Sequence, residues 1–264
     1  GKRVPILGEK DPAKLPWKDA KVDVVLESTG KFTKKEDAKA HLDAGARKVL
    51  ISAPGKSPLD GDFVLGVNED EYDPKKHHII SIGSCTTNCV VPLAKVVHEE
   101  FTIERGLMTT VHAYTSTQQL VDGPHKDLRR ARAAAANIVP TTTGAARMVG
   151  KIIRDLDGKL DGMALRVPVA CGSIVDLTCV VKKRTSADEV NEAMKRWEQG
   201  RMKGVLKVAE APLVSSDIIG TPYSAVVPPE DTAVLEGTLV KALAWYDNEW
   251  GFSNRLVDMM AKMV

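Results

Sequence analysis

Two cysteines, Cys85 and Cys89, stand four residues apart in the stretch SCTTNC, between an apolar run and a helix-like segment. Such a pair could bind a metal, form a disulfide, pack in a core, or supply a nucleophile with a buried neighbour. A metal pair needs further Cys or His ligands at recognisable spacing, and CTTNC has no such partner, so no metal is expected. Four cysteines in 264 residues, none of them in a CxxC pair, argue against a disulfide framework and fit a reducing compartment. Ser84 suits an N-cap, which places Cys85 in the first helical turn, where free N–H groups and the helix dipole favour a thiolate and lower the thiol pKa. The same position equally suits a small buried hydrophobe, and position alone does not choose between them. Cys89, one turn deeper, reads as packing.

A thiolate nucleophile needs a base close in space. Of the six histidines, His41 and His98 fall on helix positions that read as exposed, and His77 and His78 follow two lysines in a turn. His112 differs, because it sits in an apolar strand followed by Tyr114, Thr115, Ser116 and Thr117. A lone strand histidine is nonetheless more often a satisfied core residue than a base.

The elements that must position these residues follow from periodicity. VDVVLEST reads as a buried strand, and TKKEDAKAHLDAG as a helix with a Thr33–Glu36 capping box and a Gly45 stop. ARKVLISAP is a second strand, so a βαβ unit with a parallel pair is expected. FVLGVN and HHIISIGS add two strand candidates. The helix after Ser84 has Val90, Leu93, Ala94 and Val97 on one face and Lys95, Glu99 and Glu100 opposite, and Pro92 should kink it or mark an irregular first turn.

Beyond this helix strict alternation stops. GLMTTVHAYT, GMALRVPV, SIVDLTCVVKK and TLVKALAWYDNEWG read as strands. TTTGAARMVGKIIRDL, SADEVNEAMKRWEQG with a Ser186–Glu189 box, and FSNRLVDMMAKMV read as helices. A long polar segment from Ser116 reads as a functional loop. The expectation is an α/β chain: a partial doubly wound (Rossmann-type) parallel sheet in 1–83 and an α+β domain with a mostly antiparallel or mixed sheet in 84–247. Residues 248–264 form a helix returning to the first domain.

A net charge of +2 with 5% aromatics predicts no bulk attraction to nucleic acid or an anionic membrane. No apolar run approaches the roughly 18–20 residues that span a bilayer. The opening GKRVPILGEK has no secretory h-region, and a cytoplasmic location is expected.

Taken together, SCTTNC, TTVHAYT, HKDLRRARAAA, IVPTTTGAA, GMALRVPV and WYDNEWGFSNR resemble the phosphorylating glyceraldehyde-3-phosphate dehydrogenases, in the family's order and over nearly the whole chain. The resemblance implies that Cys85 attacks the aldehyde and His112 serves as general base. Hydride passes to NAD, with NADP left open, and inorganic phosphate cleaves the resulting thioester. It assigns Arg166 and Thr115 to the substrate phosphate of glyceraldehyde 3-phosphate. Ser84, Thr86, Arg132, Thr143 and Gly144 go to the attacking phosphate and nearby contacts. For the cofactor it assigns Asn248, Phe252 in place of a common Tyr, and the strand ends Thr29, Gly30 and Ser52. Gly123–Pro124 keeps a proline of NAD-preferring relatives, whereas Lys10 departs from a common Arg. The segment from Ala113 to Ala136 resembles the family's subunit-contact loop, which implies a homotetramer.

The family's opening strand, G-x-G-x-x-G turn and helix have no counterpart here, so roughly the first two βα units are expected to be lacking. Competing classes are an erythrose-4-phosphate dehydrogenase using water as acceptor, a non-catalytic binding module, and a cofactor-free Cys–His hydrolase. The last would have no use for Asn248 or paired anion sites.

Overall fold

The computed structural model describes residues 3–264, so Gly1 and Lys2, which open the stretch expected to lack the Gly-rich turn, lie outside it. The chain forms two compact units. One takes in the chain up to Phe63, with Asp70–Gly83 and Leu256–Val264; the other takes in Val64–Glu69 and Ser84–Arg255.

In the first unit, β1 (Val24–Glu27), α1 (Lys35–Asp43) and β2 (Lys48–Ile51) make the expected parallel βαβ unit, with Val25 opposite Val49. β3 (Gly61–Asp62) and β4 (Ile79–Ser81) complete an all-parallel sheet in the order β1-β2-β4-β3. Ala38, Val49, Ile51 and Ile79 pack together beneath α1. Apolar side chains on one helix stripe and on the adjoining strands supply this core.

Two local expectations change. There is no Thr33–Glu36 box: α1 starts at Lys35, and the orphan Lys35 N–H is taken by Ser57 Oγ at 2.8 Å, a cap supplied from the loop after β2. FVLGVN is a buried turn rather than a strand. Gly66 adopts φ +79° and the Asn68 side chain accepts the Val64 N–H, which bends the chain back on itself.

The second unit is built on a mixed sheet. Its strands are β5 (Ile103–Ala113), β6 (Val139–Thr142), β7 (Leu160–Val167), β8 (Ser173–Val181), β9 (Leu206–Val208), β10 (Ala225–Val227), β11 (Ala233–Leu235) and β12 (Leu239–Tyr246). The order is β6-β7-β5-β8-β12-β10-β9, with β11 paired to β12. β5 runs parallel to β7 and antiparallel to β8. Helices α2 (Cys85–Phe101), α3 (Ala145–Ile152) and α4 (Ala187–Gln199) pack against this sheet, and α5 (Trp250–Met263) ends the chain. α4 carries the predicted Ser186–Glu189 capping box. α2 runs without a break through Pro92, and most of its residues are buried. No helix among the described residues is long and apolar enough to cross a membrane.

Candidate active site

Ser84 caps α2 in extended conformation (φ −108°, ψ 173°), its Oγ accepting the Thr87 N–H at 3.1 Å, so Cys85 is the first helical residue. β5 carries His112 one residue from its end, and Cys85 Sγ lies 3.4 Å from His112 Nε2. The thiol and the imidazole, expected to meet only by resemblance, are in hydrogen-bond contact.

The electrostatics differ from the sequence expectation. Burial pushes the Cys85 thiol up; bonding by the Thr86 backbone N–H and the Arg166 charge oppose this without overcoming it. A helix start alone therefore does not make Cys85 a thiolate. Burial, and then the Arg166 charge, lower His112 to about 4, so its imidazole is neutral at pH 7.

His112 Nδ1 has two neighbours, the Ala113 carbonyl at 2.7 Å and Arg166 Nη1 at 2.9 Å. It can donate to the first or accept from the second, not both. When Nδ1 donates to Ala113 O, Nε2 is a free base facing the thiol. When Nδ1 accepts from Arg166, Nε2 carries the proton and can donate to a developing oxyanion. Arg166 Nη1 also donates to Ala113 O and to Thr115 Oγ1, while its buried Nε has no hydrogen-bond partner.

Beneath the thiol, the buried Tyr246 hydroxyl bridges Thr86 Oγ1 at 2.9 Å and Thr110 Oγ1 at 2.8 Å, and its ring meets the His112 ring edge-on. Sequence reading missed Tyr246; its place at the end of an apolar strand was the available signal. Gly144 caps α3 with open space where a Cβ would project, and Thr143 Oγ1 accepts the Ala145 N–H.

Arg132 is not brought to this cluster. It is well exposed and pairs with Asp122 at 3.3 Å. Arg130, two residues earlier, is held by Thr141 Oγ1 through Nε and Nη2, and its charge is felt at Arg166. The run DLRRAR has no periodicity that says which arginine turns inward.

In the second unit, Asn248 Oδ1 accepts from the Gly172 N–H at 3.2 Å and from Ser173 Oγ at 3.0 Å, which orients the amide NH2 away from them. Asp247 fixes that turn by accepting the Glu249, Trp250 and Gly220 N–H groups. Phe252 is half-buried on α5. In the first unit, Thr29 and Gly30 follow the carboxyl end of β1 and Ser52 that of β2. Gly30 lies at φ +71° with nothing near a would-be Cβ. A cleft of about 290 Å³ adjoins Thr29 and is lined also by Lys10, Leu15 and Phe32. Within the first unit, the open glycine and the cleft beside Thr29 suit the backbone approach and ring surfaces of a dinucleotide.

One unit with a parallel βαβ sheet, and another whose mixed sheet holds a thiol–imidazole pair, define an α/β dehydrogenase-type architecture. Residues 84–248 match the family model described as glyceraldehyde 3-phosphate dehydrogenase, C-terminal domain, and residues 1–35 match its NAD binding domain. The chain is 56% identical over 259 residues to glyceraldehyde-3-phosphate dehydrogenase 2 of Streptomyces avermitilis, covering 98% of this chain and 77% of the relative. It is 54% identical to glyceraldehyde-3-phosphate dehydrogenase of Geobacillus stearothermophilus over 99% of this chain and 78% of that protein. With the Mycobacterium avium enzyme the identity is 58%, covering 95% and 73%. The chain belongs to the glyceraldehyde-3-phosphate dehydrogenase family, and is an NAD-dependent glycolytic oxidoreductase.

Proposed function

We propose that the chain carries out oxidative phosphorylation of D-glyceraldehyde 3-phosphate to 1,3-bisphosphoglycerate, with Cys85 as nucleophile and His112 as base. The observation that carries this is the 3.4 Å contact between Cys85 Sγ and His112 Nε2 at a capped helix start. His112 Nε2 takes the thiol proton as sulfur bonds to the aldehyde carbon, which offsets the cost of ionising a buried thiol. That proton then passes from Nε2 to the oxygen of the hemithioacetal, and the freed Nε2 takes it back when the C–H bond breaks. NAD, when bound, would supply the acceptor for that hydride. The product is a Cys85 thioester, and attack by a phosphate oxygen on its carbonyl carbon expels the Cys85 thiolate.

Arg166 and Thr115 would hold the substrate phosphate. Ser84, Thr86, Thr143, Gly144 and, in place of Arg132, Arg130 would hold the attacking one, since guanidinium and hydroxyl groups suit tetrahedral oxyanions. Asn248, Phe252, Thr29, Gly30 and Ser52 would hold NAD. Residues 1–83 would serve as cofactor domain, 84–247 as catalytic domain, and 248–264 as the returning helix.

A homotetramer in the cytoplasm is part of the proposal. It is supported by the sheet face of the second unit opposite the helices, where Leu107 is 67% and Met163 41% exposed. A concavity of about 580 Å³ lies on this face among Leu107, Thr109, Asp176 and Thr178.

The test is NADH formation from glyceraldehyde 3-phosphate with and without inorganic phosphate. Strong phosphate stimulation is expected. Equal rates without phosphate, or preference for erythrose 4-phosphate, would overturn the assignment.

A further inference from the structure

The first unit buries a carboxylate–imidazole pair that this chemistry leaves unused. Glu27 is 3% and His41 4% exposed, although the helix pattern had placed His41 on an exposed face. The Trp17 indole N–H donates to His41 Nδ1 at 3.1 Å. An indole nitrogen only donates, so Nδ1 must accept and the ring proton sits on Nε2. Nε2 lies 3.0 Å from Glu27 Oε2 and donates to it. The other carboxylate oxygen, Oε1, accepts both the Thr29 N–H at 2.8 Å and the Thr29 hydroxyl. The Glu27 main-chain carbonyl accepts the Ser52 N–H at 3.0 Å. Every donor and acceptor from the indole to Thr29 is thus assigned in one direction.

A buried carboxylate is costly to desolvate, and an apolar pair of similar volume is commonly as stable. The use of this pair therefore lies in what Oε1 fixes, which is the turn leading into Gly30. Burial would raise the Glu27 carboxyl, yet the bonds from His41 and Thr29 outweigh it and hold it below the usual range.

We infer that Trp17, His41 and Glu27 form a positioning relay that fixes the Thr29–Gly30 turn and the adjacent Ser52 for the dinucleotide. The inference rests on the reading of Thr29, Gly30 and Ser52 as cofactor-bordering residues. None of the three relay residues is proposed to touch the reacting atoms. They act through Thr29.

The test measures NAD affinity by titration and, without cofactor, the exchange protection of the Thr29 amide. The alkylation rate of Cys85 by iodoacetamide serves as a control in the other unit. His41→Leu, which removes both the donor to Glu27 and the acceptor for Trp17, is expected to weaken NAD binding and speed Thr29 exchange, each about tenfold. Cys85 alkylation should not change. His41→Gln, which keeps an N–H for Glu27, is expected to stay within about threefold of the parent protein. If His41→Leu fails to fold, Trp17→Phe carries the test, with a smaller loss in the same two readouts.

Unchanged affinity and protection in His41→Leu would overturn the relay. So would equal losses in the Leu and Gln variants, which would mark packing alone. Thr29→Val separates the underlying reading: no loss of NAD affinity there would overturn the cofactor role of Thr29 and the inference with it.

Discussion

At Cys85 two opposing effects meet on one sulfur. The helix start offers N–H groups, but burial is the larger influence and the thiol is raised in the free chain. In the proposed mechanism the neutral His112 at 3.4 Å removes the conflict, because it takes the proton when the aldehyde is attacked. Cys85→Ser should therefore lower turnover by about 10⁴-fold without changing stability, as loss of a paired nucleophile does. Cys89 is fully buried with Sγ against the Ala244 carbonyl, so Cys89→Ala should retain activity and cost about 1 kcal/mol in urea melts. The reverse pattern would exchange their roles.

His112 gives a pH prediction. Its folded value, about 4, lies below the ordinary 6.5, so between these values the unfolded chain binds the extra proton and stability falls as pH falls. From pH 7 to 5 the parent protein should lose about 2 kcal/mol more than a His112→Asn variant. Equal losses in urea melts at the two pH values would contradict a depressed His112. Arg130→Ala should raise the phosphate KM by about tenfold and Arg132→Ala by less than about twofold, in steady-state assays of phosphate dependence.

At the scale of elements, caps and periods decided what could be read from sequence. α4 was legible because Ser186 and Glu189 announce its start, and both bonds of that box are present. Ser186→Ala should cost about 1 kcal/mol by the same melts. The βαβ unit was legible from two β-branched runs around a periodic helix. β6 was hidden because Pro140 looks like loop and its two threonines run into the stretch TTTGAARMVGKIIRDL read as a helix, and β9, β10 and β11 because three residues are too few to show a period. His41 was misjudged because Trp17, from outside α1, covers it, and no helix pattern contains that information. Tertiary register also decides Gly162, which pairs with Met108. A Cβ there would fall 2.2 Å from the Met108 carbonyl, so Gly162→Ala should destabilise by about 3 kcal/mol. The site itself was legible only as a set of motifs. Their types were visible, but their meeting at Arg166, Tyr246 and Arg130 depends on strand pairing.

At the scale of the whole molecule, the thiol, the imidazole and both proposed anion sites lie in the unit whose sequence matches the family's C-terminal domain. The open sheet face of that unit bears on assembly. If the proposed tetramer forms through this face, Leu107→Lys should shift sedimentation to smaller species while leaving circular dichroism unchanged. The central claim is that the acyl group passes through Cys85. Mass spectrometry of the protein mixed with glyceraldehyde 3-phosphate and NAD, in the absence of phosphate, tests it most directly. The account predicts a phosphoglyceroyl adduct on the peptide containing Cys85 that disappears when phosphate is added. An adduct on another residue, or turnover with no adduct on Cys85, would contradict it.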